Sequence, residues 1–285
     1  REPDGSTYGS SGGSVVVWSH ANIQTGPAMV GTGQTLQLRT TFDGTTYRGG
    51  MVQTRTGSAP FGGTLFPRYA WYEARLRVPN GKALWSALWL RHKHGSSACE
   101  VDIAEFINGD TPGHGRFTLH RRAVDGGPTV TGLGARNVYW QHPYEADGTT
   151  RAVPQWRTVA CGIRPANGDP NNPSAAVVFE VYLDGVLQHS FIDSDATYWT
   201  SLAADDAFDI CLWGSQVGGA WMGAPDDPLG YSRYLNGGAG GCIHGGTAPN
   251  ACTASYGGVP MVPMDWDPLQ STFEVDYVRV WKYTG

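Results

Sequence analysis

Charge is scarce in this chain. Only 16% of its 285 residues are Asp, Glu, Lys or Arg, and 25 acids against 20 bases leave a net charge of -5. No Lys/Arg cluster marks a phosphate-binding face, which argues against a nucleic-acid partner. No apolar run reaches the roughly 18 residues of a membrane-spanning helix, so no membrane partner is expected. The chain starts at Arg1 without a charged and apolar leader, so a signal peptide has either been removed or never existed. Helical signals are nearly missing too, with only Tyr198 to Asp206 reading as a short helix.

Cysteine is sparse, and the five present leave at least one unpaired within the chain. Cys242 and Cys252 lie in a Gly/Pro/Asn-rich stretch with little capacity to form a core, where a disulfide would restrain what packing cannot. Two free thiols are the competing reading, and the spacing is wrong for the common zinc patterns. Cys99, Cys161 and Cys211 sit in apolar strand-like segments and read as small buried side chains.

What is plentiful is Gly, Trp and Tyr, a mixture suited to many short strands, turns and aromatic surfaces rather than to disorder. Strand signals recur at Val15 to Trp18, Thr35 to Arg39, Arg48 to Thr54, Trp71 to Val78, Leu84 to Leu90 and Cys99 to Phe106. They continue at Arg116 to His120, Trp156 to Ile163, Ala176 to Leu183, Phe208 to Trp213 and Thr272 to Lys282. Turn residues separate them, so the pattern is an all-β sandwich rather than alternating βαβ units. One domain over residues 1–285 is expected, with a glycine-rich arm at 1–14 and a long, turn-rich segment at 214–271 that shapes a binding site.

The segment Cys99-Glu100-Val101-Asp102-Ile103-Ala104-Glu105-Phe106 places three carboxylates in an otherwise apolar strand. Side chains alternate across a strand, so Glu100 and Asp102 share one face while Val101 and Ile103 take the other. Glu105 is out of phase, and in a regular strand it would enter the core, at a cost of roughly several kcal/mol for an unpaired carboxylate. One extra residue near Ile103 or Ala104, a β-bulge, returns it to the face of the other two. Retaining glycoside hydrolysis needs one ionised carboxylate and one protonated one about 5–5.5 Å apart, and such a row can supply both. A solvated acidic strand or a calcium-binding patch is the plain alternative, although hard-cation sites draw their ligands mostly from loops.

The surroundings narrow the reading. Val78-Pro79-Asn80-Gly81-Lys82-Ala83-Leu84-Trp85-Ser86-Ala87-Leu88-Trp89-Leu90 gives a strand, a tight turn and a strand with two tryptophans, and Phe117-Thr118-Leu119-His120 is a short strand ending in histidine. The order and spacing of these pieces resemble glycoside hydrolase family 16. Val181-Tyr182-Leu183-Asp184-Gly185-Val186 is similar to that family's "Y-x-D-G" hairpin, and Val217-Gly218-Gly219-Ala220-Trp221-Met222-Gly223 to its "V-G-G-N-W-P-G" segment. Val275-Asp276-Tyr277-Val278-Arg279-Val280-Trp281 resembles its closing strand.

The resemblance implies a jelly roll of two curved antiparallel sheets with an open cleft. It also implies a secreted, monomeric endo-hydrolase of a polysaccharide, with Glu100 as nucleophile, Glu105 as acid/base and Asp102 setting their ionisation. It places His120 near the acid/base, where a hydrogen bond to Glu105 would tune it. Trp85, Trp89 and Trp221 become candidate sugar platforms, because pyranose faces stack on aromatic rings, although strand aromatics more often pack inward. The chemistry needs no cofactor, and the family often carries a structural calcium, away from the cleft, whose ligands the sequence does not identify. Two positions depart from the laminarinase pattern: Gly49-Gly50-Met51-Val52 replaces "S-G-R-I", and Ala220 replaces an asparagine. The two residues between Asp102 and Glu105 resemble the laminarinase, agarase and carrageenase branches. A β-1,3-glucan is the first expectation and a β-galactan the second. A transglycosylase and a carbohydrate-binding module on the same fold stay open.

Overall fold

The computed structural model describes residues 7–9, 15–42, 47–56, 62–80, 84–92, 99–107, 114–121, 130–141, 146, 152–173, 176–194, 199, 202, 204–205, 207–217, 255–256, 259–260 and 268–285. Trp221, Cys242, Cys252 and most of the expected helix over Tyr198 to Asp206 lie outside them.

Strands dominate. In chain order they are β1 (Thr7–Gly9), β2 (Val15–Trp18), β3 (Ile23–Pro27), β4 (Gln34–Phe42), β5 (Tyr47–Gly49), β6 (Met51–Gln53), β7 (Arg55–Thr56), β8 (Gly62–Gly63), β9 (Ala70–Arg77) and β10 (Leu84–His92). There follow β11 (Cys99–Ile107), β12 (His114–Arg121), β13 (Val130–Tyr139), β14 (Trp156–Pro165), β15 (Val177–Leu183), β16 (Val186–Asp193), β17 (Phe208–Val217), β18 (Ser255–Tyr256), β19 (Val259–Pro260) and β20 (Thr272–Lys282). A 10-stranded sheet runs β1-β2-β5-β4-β20-β9-β14-β15-β16, with β3 paired to β4, and a 6-stranded sheet runs β13-β12-β11-β10-β17-β6. β1 lies in the stretch expected as a glycine-rich arm, the end of β17 extends into the turn-rich segment 214–271, and the β18/β19 pair lies within it.

The sheets pack face to face over one large core. Tyr72, Ala74 and Leu76 of β9 meet Leu88 and Leu90 of β10, Val101 and Ile103 of β11 and Leu119 of β12, all buried. Their alternation leaves Trp71, Glu73 and Arg75 on the outer face of the 10-stranded sheet. A fully buried ion pair, Arg77 with Glu274, ties β9 to β20. Thr35 Oγ1 (2.9 Å), the Met29 amide (3.0 Å) and Gln37 Nε2 (3.1 Å) all donate to Glu274 Oε1, so the buried carboxylate is well satisfied. Asp184 and Gly185, both with positive φ (49° and 78°), make the two-residue turn from β15 to β16.

The two sheets join at a glycine corner. β5 belongs to one sheet and β6 to the other, and the chain crosses between them at Gly50. A Cβ on Gly50 would lie 2.5 Å from the Asn22 carbonyl oxygen, and one on Gly214 would lie 2.8 Å from that of Gly50. Backbone on backbone leaves no room for a side chain. Gly50, which keeps the glycine of the resembled motif, is therefore required by the local packing.

Candidate functional site

The three acids come together because β11 carries an extra residue. Opposite β10 the register steps from Leu88↔Ala104 to Trp89↔Asp102, and opposite β12 it steps from Asp102↔Thr118 to Glu105↔Arg116. The irregularity falls at Ile103 and Ala104, where alternation requires a bulge if Glu105 is to leave the core. Ile103 and Ala104 are both buried in the main core, while Glu100 and Glu105 are partly exposed on the opposite face.

Three cross-strand rows organise that face. The first reads His120, Glu100, Arg91, Asp209 from β12 to β17, alternating cationic or ionisable groups with acids. The second reads Thr118, Asp102, Trp89, Cys211, Gln53. The third reads Arg116, Glu105, Ala87, Trp213, Met51. Along β11 the surroundings change from charged at Glu100 to largely apolar at Glu105.

The first row is held by ion pairs. Arg91 Nη2 lies 2.9 Å from Asp209 Oδ2 and also donates to Gln53 Oε1, and its guanidinium sits 5.4 Å from the Trp89 ring centroid. Arg55 Nε lies 3.7 Å from the same carboxylate, which is fully buried. Arg91 and Asp209 were not singled out from sequence. Strand alternation outward from Trp89 and Cys211 was the available signal.

Asp102 and Glu105 are the perturbed acids. Burial, then the charge of Glu100, pushes the Asp102 carboxyl well above the usual range, while its hydrogen bond with Glu105 acts the other way. Glu105 is pushed well up by burial first and then by Asp102; His120 and Arg116 pull it back and Glu100 pushes it further. Carboxyls so close titrate as a coupled set. Thr118 Oγ1 donates to Glu105 Oε2 at 3.4 Å. His120 was expected to bond Glu105. Its Nε2 instead lies 2.8 Å from Asp102 Oδ2, because Asp102 stands between it and Glu105 on the strand.

Ligand atoms of Glu100, Asp102 and His120 lie within 4.8 Å of one another. Two carboxylates and an imidazole do not match the six to eight oxygens that calcium takes, and the structural calcium the resemblance implies lies away from the cleft.

The tryptophans require a correction. Trp85 is 8% and Trp89 6% exposed, so neither offers an open ring face to a sugar. Both pack edge-on against Trp213, with ring centroids at 6.3 and 5.1 Å, and Trp18 approaches the same ring at 6.0 Å. Trp18, Trp89 and Trp213 form a second apolar cluster with Val16, Met51, Ala87 and Cys211. Met51 occupies the position of the resembled arginine and is buried opposite Trp213. Cys99, Cys161 and Cys211 are buried free thiols whose protons burial holds in place, as expected of inert core groups.

No protein-family model matches the sequence, and no curated protein matches it. Solved structures do. A glycoside hydrolase family 16 endo-glucanase from Bacteroides ovatus superposes with a TM-score of 0.57 at 15% identity, over 97% of this chain and 94% of that one. A laminarinase from Flavobacterium sp. UMI-01 gives 0.55 at 18% identity, covering 93% and 84%. An endo-β-1,3-glucanase from Pyrococcus furiosus gives 0.54 at 20% identity, covering 95% and 81%. The chain therefore has the jelly-roll sandwich fold of the family 16 glycoside hydrolases.

Proposed function

We propose that this protein is a retaining endo-glycoside hydrolase, secreted and acting as a monomer on a β-linked polysaccharide, with β-1,3-glucan as the first substrate. The observation that carries this reading is the bulge that aligns Glu100, Asp102 and Glu105 on one face, in surroundings that differ from end to end. Glu100 lies in the charged row beside Arg91 and His120, which favours an ionised nucleophile. Glu105 stands beside Ala87, Trp213 and Met51, with Arg116 on its other side, and burial pushes its carboxyl toward the protonated form, which suits the acid that protonates the leaving oxygen.

In the proposed cycle Glu100 attacks the anomeric carbon as Glu105 gives its proton to the departing sugar oxygen. Glu105 then takes a proton from water, which displaces the sugar from Glu100. Asp102, bonded to His120 and Glu105, sets the coupling between the two glutamates. Among the superposed structures, a laminarinase and an endo-β-1,3-glucanase carry names that support the β-1,3-glucan reading; a β-galactan is the second choice.

The test is the product pattern from laminarin, curdlan, mixed-linkage glucan, agarose, carrageenan and β-galactans. Internal cleavage of one class is expected from the parent, and Glu100→Ser should lose at least about 10³-fold in turnover while staying folded. Comparable turnover in the folded variant sinks the assignment. Products longer than the starting oligosaccharides would identify a transglycosylase with the same nucleophile.

A further inference from the structure

The outer face of the 10-stranded sheet carries aromatics where a solvated sheet face normally carries polar side chains. Trp281 of β20 is 48% exposed, and its cross-strand partner on β9 is Trp71, partly exposed on the same face. The next residue across, on β14, is Gly162. A Cβ there would lie 3.3 Å from Trp71 Cε3, so the indole lies over the glycine. Beyond it the ring meets Tyr182 of β15, with centroids 4.7 Å apart. Trp281, Trp71 and Tyr182 thus span four adjacent strands, about 14 Å across the sheet.

Polar groups accompany the rings, and their charges are satisfied locally. Glu73 accepts from Trp71 Nε1 at 3.2 Å and from Tyr277 Oη at 3.0 Å. Glu180 pairs with Arg164 at 3.3 Å, and the Arg279 guanidinium sits 3.9 Å from the Tyr277 ring centroid. The strip is aromatic, laid against the sheet and close to charge-neutral. That complements a ligand with apolar faces, hydroxyl edges and no charge. A nucleic acid or acidic polymer needs a surplus of cations, and a buried protein interface favours an apolar centre without acids.

We infer that Trp281, Trp71 and Tyr182 form a second carbohydrate-binding site, outside the cleft, that takes a neutral β-linked polysaccharide chain. The choice of ligand rests on the hydrolase reading; the site itself does not. The Glu100, Asp102 and Glu105 side chains lie on the other sheet, so this site would hold the enzyme on polymer while the cleft works, raising the local substrate concentration without changing the chemistry.

The experiment is co-sedimentation of full-length Glu100→Ser protein with insoluble β-1,3-glucan particles, compared with the same protein carrying Trp281→Ala or Trp71→Phe. In parallel, Trp281→Ala in the otherwise parental protein is assayed on short soluble β-1,3-gluco-oligosaccharides. Retention on particles should fall at least about fivefold, with oligosaccharide turnover unchanged within about twofold. Unchanged retention in both variants overturns the proposal, as does turnover that falls in step with retention. A parent that sediments as a dimer and becomes monomeric on Trp281→Ala, with retention unaltered, assigns the face to self-association and also overturns it. If the parent cleaves no polymer but loses retention on Trp281→Ala, the hydrolase reading fails and the outer site stands.

Discussion

Trp89 and Trp281 lie on antiparallel strands in opposite sheets, each on the face turned away from the main core, yet one is 6% and the other 48% exposed. The difference arises outside their own strands. Trp89 faces a corner where β2 brings Trp18 and Val16 against the 6-stranded sheet beside Met51 of its edge strand β6, and it packs edge-on against Trp213. Trp281 faces neighbours whose side chains lie down on the sheet, with Gly162 two strands away leaving room for Trp71. Whether an aromatic becomes core or surface depends on what a distant segment lays over it. The alternation of its own strand sets only which face it takes.

The sharpest way to break this comparison is to truncate both rings. Trp89→Ala should cost about 3–5 kcal/mol in denaturant unfolding, because it opens a cavity among Trp213, Met51 and Cys211. Trp281→Ala should stay within about 0.5 kcal/mol of the parent, as a partly exposed ring loses little burial. Equal losses would show that Trp281 is a buried anchor and would remove the basis for an outer-face ligand site.

Burial on the cleft face also acts on its acids. Asp102 and Glu105 both have carboxyl groups raised in the folded state, chiefly by burial. Their protonated forms therefore contribute stability that is complete below the unfolded carboxylate values of about 4. That contribution is lost as pH rises from there through the folded values, because the folded state binds more protons than the unfolded one over that window. Melting temperature should thus decline across that interval in the parent, and the decline should be shallower in Asp102→Asn. An identical pH slope in the two proteins would mean that the pair is not desolvated as described.

Much of this was legible in the residues. Alternation assigned Glu100 and Asp102 to one face, and the cost of burying Glu105 required an irregularity at Ile103 or Ala104, where the register does shift. Strands β3, β13 and β16 escaped for physical reasons. β3 and β13 are broken by glycine or proline, and β16 is a sheet edge whose Val186, Leu187 and Ile192 stay exposed while its inward positions are His189, Phe191 and Asp193, so its apolar residues lie mostly on the wrong face to give a periodic signal. His120 was placed correctly beside the acids but with the wrong partner, since the sequence does not say which carboxylate a neighbouring strand presents to it. Trp213 was missed as the partner of Trp85 and Trp89 because its strand, β17, pairs with β10 from far along the chain, and Trp18 was missed because the corner at Gly50 and Gly214 is what brings β2 to Trp213.

Gly162 offers the smallest and most specific perturbation. Its φ is not positive, so alanine meets no backbone strain there, and by restricting the unfolded chain it should hold or raise stability by up to about 0.5–1 kcal/mol. The new methyl would nevertheless sit 3.3 Å from Trp71 Cε3 and 3.7 Å from Glu180 Oε2, tighter on the indole than ordinary van der Waals contact. The ring must lift by a few tenths of an ångström or turn away from Tyr182. Gly162→Ala should therefore leave thermal unfolding and oligosaccharide cleavage at parental levels while weakening retention on insoluble glucan by about twofold, less than Trp281→Ala does. A marked loss of stability would mean that the Trp71 indole is locked in place by packing and is no adjustable surface ring. Unchanged retention alongside a clear effect of Trp281→Ala would confine the platform to Trp281 and its neighbours on β20, leaving Trp71 and Tyr182 as its support.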